Sequence, residues 1–267
     1  MIPNHLCFYV FLFSETSLYK NTCSPGGLAL DRLKPGTSLQ CSTTRSLLNQ
    51  SVNVACVGTI NNYTKWNLLY QLTDQNAVIA GYTNCPFQDV RPGTIEGFAS
   101  HAQKYLPRGS HIKATYSIDD NGNFLHFVYC LPSKLNPLST NYIAIATSKS
   151  RNESVNNIVK AATSAMPDDA YTDSTTEPAM TGSYGSFYGT VKPVCHYAES
   201  EGICVVGTMG TSNVTELNLT IFPLQFRNLA KHVVGCTNGK EEYDDFIGKL
   251  TEGDLVQGME SASASCF

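Results

Sequence analysis

"TIEGFASHAQKYL", residues 94–106, is the stretch on which the reading of the fold turns. Ile95, Phe98, Ala99, Ala102, Tyr105 and Leu106 recur at the spacing of one helical face, and Thr94 stands where an N-cap would accept a backbone N–H. The spacing predicts an amphipathic helix. A second stretch, "KEEYDDFIGKL", residues 240–250, sets Tyr243, Phe246, Ile247 and Leu250 in the same stripe. Its acidic residues fall in the first turn, where the helix dipole favours them. Each stretch follows a cysteine, Cys85 or Cys236, and precedes a glycine, Gly109 or Gly253.

Working outward, the two stretches lie in halves of the chain that share a short repeat. "NYTKWNL", residues 62–68, returns as "NVTELNL", residues 213–219, with Asn, Thr, Asn and Leu at the same four offsets. The first copy follows "CVGT" at Cys56 and the second "CVVGT" at Cys204. Two sets of cysteines frame the halves: Cys41, Cys56, Cys85 and Cys130, then Cys195, Cys204, Cys236 and Cys266. We therefore expect two related α+β modules, each an antiparallel hairpin or sheet covered by one amphipathic helix and stapled by disulfides. Module 1 spans 19–166, with an extra strand and helix within 131–166; a linker spans 167–186; module 2 spans 187–267. The linker, "PDDAYTDSTTEPAMTGSYGS", shows no helical or strand period and is rich in Pro, Gly, Ser, Thr and Asp.

In module 1 the sequence "HIKATYSIDDNGNFLHFVYC", residues 111–130, predicts a hairpin about Asn121-Gly122. A turn centred there sets Ile118 against Leu125, Tyr116 against Phe127 and Ala114 against Tyr129, with Thr115, Ser117 and His126 on the other face. "NYIAIAT" from Asn141 reads as a strand. "SVNNIVKAAT" from Ser154 reads as a helix with Val155, Ile158, Val159 and Ala162 on one face.

Composition bounds the function. The chain has 267 residues, 15% charged, with a formal net charge of −4. That charge leaves no electrostatic footprint for nucleic acid. Ten cysteines without a C-x-x-C pair read as disulfides, which persist in oxidising surroundings. Four cysteines allow three pairings; we expect first with second and third with fourth within each set. "LCFYVFLF", residues 6–13, is an apolar run of signal-peptide length, so residues 1–18 are read as a signal peptide and the chain as secreted. The run is too short to span a bilayer, so stable membrane insertion is not expected. With Cys7 removed, Cys23 is left to link two chains; with Cys7 kept, the alternative is a Cys7–Cys23 pair. Asn-x-Ser/Thr sequons occur at Asn49, Asn62, Asn152, Asn213 and Asn218, and are read as glycosylation sites; an Asn-based turn is the competing reading at Asn62 and Asn213.

No motif for chemistry is present. The six histidines form no H-E-x-x-H pair, no G-x-S-x-G elbow or phosphate-cradling glycine loop occurs, and neither a metal nor a cofactor is implied. The expected function is binding of a protein or glycan partner outside the cell. One alternative is a protease inhibitor or effector presenting the loop between Cys195 and Cys204. The other is a hydrolase whose site is assembled from His101, His126 and Asp119 or Asp120. Trp66, the single tryptophan, takes the place of Leu217 in the repeat, which argues for packing rather than an anchor.

Overall fold

The computed structural model describes residues 33–38, 54–74, 81–102, 109–118, 122–132, 140–164, 180–187, 193–234 and 239–251. Twelve strands appear in chain order among these residues: β1 Lys34–Pro35, β2 Ala55–Asn62, β3 Leu68–Asp74, β4 Gly81–Cys85, β5 Thr94–Ala102, β6 Ser110–Ile118, β7 Asn123–Leu131, β8 Asn141–Ser148, β9 Met180–Phe187, β10 Val194–Ala198, β11 Ile203–Met209 and β12 Val214–Pro223. The helices are α1 Val155–Ser164, α2 Lys231–Val234 and α3 Lys240–Thr251, with a 3-10 turn at Phe226–Asn228.

The strands make two sheets. One runs β1-β5-β2-β12-β11-β10, with β4 also paired to β5, seven strands in all. The other runs β3-β6-β7-β8-β9. Between them lies the main core, which takes Phe98, Ile60, Leu217, Leu219 and Ile221 from the first sheet and Tyr116, Phe127, Tyr129, Ile143 and Ile145 from the second. A buried hydrogen bond of 2.7 Å between Ser100 and the Tyr129 hydroxyl crosses this core. The architecture is sheet on sheet.

This overturns the α+β expectation of two helix-covered hairpin modules. The deciding stretch, residues 94–102, is strand β5 and not a helix. Phe98 and Ala102 enter the main core, and Ala99 packs with Val57. Both faces are covered, so the alternation that marks a half-exposed strand is missing, and the small apolar residues fall by chance on helical spacing. Tyr105 and Leu106 lie outside the described residues.

The hairpin of β6 and β7 forms, but its register differs from expectation. Tyr116 pairs with Leu125, Ala114 with Phe127 and Ile118 with Asn123, a shift of two residues that keeps every side chain on its expected face. Its apolar face packs on the opposite sheet instead of under a helix. The other face is buried as well, since α1 covers Val128, Ala144 and Ala146 through Ile158 and Ala162.

Strand β8 and helix α1 form where the sequence placed them. Helix α3 is also the helix that its stripe predicts. Tyr243, Ile247 and Leu250 are buried against Tyr63, Cys204, Val206 and Phe222 on the outer face of the seven-stranded sheet. Strand β9 takes up residues 180–186, the end of the segment read as a linker. Residues 1–18 lie outside the described residues.

The strand that leads into the first copy of the repeat pairs with the strand that the second copy forms. Strands β2 and β12 pair in parallel, Val214 with Ala55 through Ile221 with Asn62, and the Thr59 hydroxyl donates to Asn218 Oδ1 at 2.8 Å.

Candidate functional site

Three turns come together at the end of the sandwich where β2 and β12 finish. The first, residues 63–67, leaves β2 for β3. It is held by Asn62, a fully buried side chain. Asn62 Oδ1 accepts from the Thr64 backbone N–H at 3.0 Å and from its hydroxyl at 2.7 Å, closing an Asx turn. Asn62 Nδ2 donates to the carbonyls of Trp66 at 2.8 Å, Val90 at 3.2 Å and Arg91 at 3.2 Å. One amide therefore satisfies donors and acceptors that burial would otherwise strand.

The second turn, 199–202, joins β10 to β11. The Gly202 N–H donates to Glu199 O at 3.0 Å, and Gly202 sits at φ +69°, a left-handed conformation suited to glycine. The third, 224–230, carries the 3-10 turn. It is tied to the others by backbone bonds from Leu224 N to Gly202 O at 2.8 Å, Lys65 N to Asn228 O at 2.7 Å and Ala230 N to Tyr63 O at 2.9 Å.

Trp66 stands half-buried where these turns join. Its inner side packs against the main core, and a Cβ placed on Gly202 would lie 3.9 Å from its ring. Lys65 Nζ lies 5.8 Å from the ring centroid. Around it Lys65, Asn67, Glu199, Ser200, Gln225 and Arg227 are exposed. Leu69, 40% exposed, is the second residue of the adjoining strand β3. The loop proposed from sequence for inhibitor contact, 196–203, is this second turn with its flanking strands, and Tyr197 on it is 46% exposed. Trp66 has a packing role, as its place in the repeat implied, but only on one side. The signal for its exposed side lay in Asn67 and Lys65, which flank it.

The histidines do not assemble into an acid/base site. His101 belongs to β5 of one sheet, where its Nδ1 lies 2.8 Å from Ala102 O. His126 belongs to β7 of the other, fully buried between the Thr115 hydroxyl at 3.0 Å and the Ser148 hydroxyl at 2.9 Å. Burial, then the nearby Lys113 ammonium, lowers His126 to about 4. Asp119 and Asp120 lie outside the described residues. A second buried imidazole was not foreseen: His196 is flanked by Thr147 at 3.2 Å and Ser183 at 3.4 Å, and burial lowers it to about 4. A base so weakened is poorly matched to drawing a proton from a hydroxyl near neutral pH. Both rings instead bridge hydroxyls and lock strands together.

Among the cysteines, Cys195 and Cys204 approach to 3.1 Å between sulfurs. Cys56 is a buried free thiol, and Cys130 is half-buried, with burial pushing its thiol up to about 11. Cys85 lies on β4. Cys7, Cys23, Cys41, Cys236 and Cys266 lie outside the described residues, as does Asn49. Of the remaining sequons, Asn62 has no open face for a sugar, Asn218 is half-buried and accepts from Thr59, Asn213 is half-buried ahead of β12, and Asn152 is exposed.

Among the described residues, no three His, Cys, Asp or Glu side chains gather as metal ligands, and no helix is long and apolar enough to cross a membrane. No family model matches the chain, and no curated protein matches its sequence. One solved structure similar to it is that of the lipid binding protein Nakanori, at 11% identity and a TM-score of 0.47, over 67% of this chain and 76% of that one.

Proposed function

We propose that this protein acts by binding another protein outside the cell, through the three-turn end of the sandwich. The observation that carries the reading is Trp66. A rigid aromatic side chain, anchored on one side in the core and open on the other, supplies contact area at little entropic cost. The turns around it are cross-tied by backbone hydrogen bonds, so the surface is set before a partner arrives. Lys65, Glu199 and Arg227 give it a rim of mixed charge, which suits a protein surface better than a polyanion. Secretion is supported by the apolar run at residues 6–13 and the exposed sequon at Asn152.

The test is a binding screen of the full chain, exported from eukaryotic cells, against recombinant extracellular domains, a glycan array and phosphatidylcholine vesicles. The expected result is binding to at least one protein domain, weakened at least about tenfold by Trp66→Ala or by Arg227→Glu. Near-ultraviolet circular dichroism checks that each variant is folded. Binding confined to glycans or vesicles, or protein binding unchanged in both folded variants, overturns the proposal.

A further inference from the structure

The hairpin of β10 and β11 carries a pair of sulfurs that the binding surface does not use. Cys195 lies opposite Val206 and Cys204 opposite Tyr197, so the two cysteines are diagonal neighbours across the hairpin. Their side chains leave the sheet on its outer face, where both join the cluster covered by α3. The sulfurs are 3.1 Å apart, so forming a bond of about 2.05 Å asks for an approach of roughly 1 Å. The tight 199–202 turn keeps the strands in register while that happens. Exposure differs between the two: Cys204 is fully buried and Cys195 is half-buried on the strand at the edge of the sheet.

We infer that Cys195 and Cys204 are a dithiol that closes into an intramolecular disulfide on meeting a small-molecule disulfide such as oxidised glutathione, with Cys195 attacking and Cys204 resolving. In the first step the Cys195 thiolate attacks one sulfur of the oxidant, forming a mixed disulfide and expelling one thiolate. In the second, Cys204 gives up its proton and attacks the Cys195 sulfur, expelling the other thiolate. The protons lost by the two cysteines end on the two released thiols; the protein dithiol is oxidised and the small disulfide reduced. The order follows from access and from charge. The contact with Cys204 holds Cys195 below the ordinary thiol range, while the same contact and burial push Cys204 up.

The sequence makes the reaction easy to read. Trypsin leaves both cysteines on one peptide, residues 161–227, because Lys192 is followed by Pro193; cleavage after Glu199 or Glu201 then parts them unless they are linked. The full wild-type chain is equilibrated with oxidised glutathione, alkylated under denaturing conditions, digested with both proteases and mapped by mass spectrometry. The expected product joins the Cys195 and Cys204 fragments. The folded Cys204→Ser variant should retain a glutathione adduct on Cys195, and Cys195→Ser should leave Cys204 unmodified. Alkylation of both thiols in the oxidised wild type, or linkage of either to a different cysteine, overturns the inference. An adduct on Cys204 but not on Cys195 overturns the order.

Discussion

Residues 62–68 and 213–219 spell nearly the same pattern and occupy opposite kinds of place. The first is a turn at the rim, the second most of a strand at the centre of a seven-stranded sheet. Asn62 is buried and knits the turn through its amide, while Asn213 is half-buried and offers its backbone carbonyl to Ala55 N at 2.9 Å. Trp66 stands half-open at the surface, whereas Leu217, its counterpart, is fully buried between the sheets. The closing leucines agree, since Leu68 and Leu219 both enter the main core, and the threonines agree as well, Thr64 and Thr215 both being buried. Partners, not the residues alone, decide the outcome. β12 has neighbours on both sides, and the chain after Asn62 must cross from one sheet to the other.

The sharpest way to break this comparison is to remove the two asparagines. Asn62→Ala strips donors from three carbonyls and the acceptor from Thr64 N–H, and should cost about 4 kcal/mol in urea unfolding. Asn213→Ala should cost under about 0.5 kcal/mol. Next in size is the core against the rim. Leu217→Ala should cost about 3 kcal/mol, and Trp66→Ala about 1–2 kcal/mol because half its surface already faces water.

Acid separates the neutral Asn62 network from the strands locked by histidines. The folded His126 titrates at about 4, below its ordinary 6.5, so the unfolded chain takes the proton first. Its contribution is fully present above pH 6.5, declines as pH falls, and is lost by about pH 4; the shift amounts to about 3 kcal/mol. His126→Gln should remove about half of the histidine slope over that window, the rest staying with His196, whereas Asn62→Ala should lower the whole curve without changing its slope. The smallest effect is on mass alone. The folded, exported chain should carry sugar on Asn213 and Asn152 and none on Asn62, read by glycopeptide mapping.

The same contrast explains what the sequence could show. Helix α3 was legible because only one of its faces is covered: Tyr243, Ile247 and Leu250 are buried, while Glu241, Asp244 and Asp245 stay exposed. Strand β5 was not, because it is covered on both faces and its one acid, Glu96, is buried on the backbone N–H groups of Thr37 at 3.1 Å and Ser38 at 2.9 Å. No local period reports such long-range partners. The hairpin was legible to within a two-residue slip, since Asn121-Gly122 signals a turn but the pairing of Ile118 with Asn123 puts Gly122, at φ +67°, at the end of the loop and not at its centre. The candidate site was legible only in its parts. The Asx turn at Asn62 and the short loop between Cys195 and Cys204 could both be read, but their meeting at Trp66 is a product of the sheet order.

Trp66 is the chain's one tryptophan, so its emission reports on the proposed surface without a label. The decisive measurement follows that emission, and its quenching by acrylamide, as the full chain is titrated with the extracellular domain recovered in the binding screen. The account predicts partial quenching in the free protein, then a blue shift and protection from acrylamide that saturate with the bound fraction. Saturable binding that leaves both the emission and the quenching of Trp66 unchanged would contradict it.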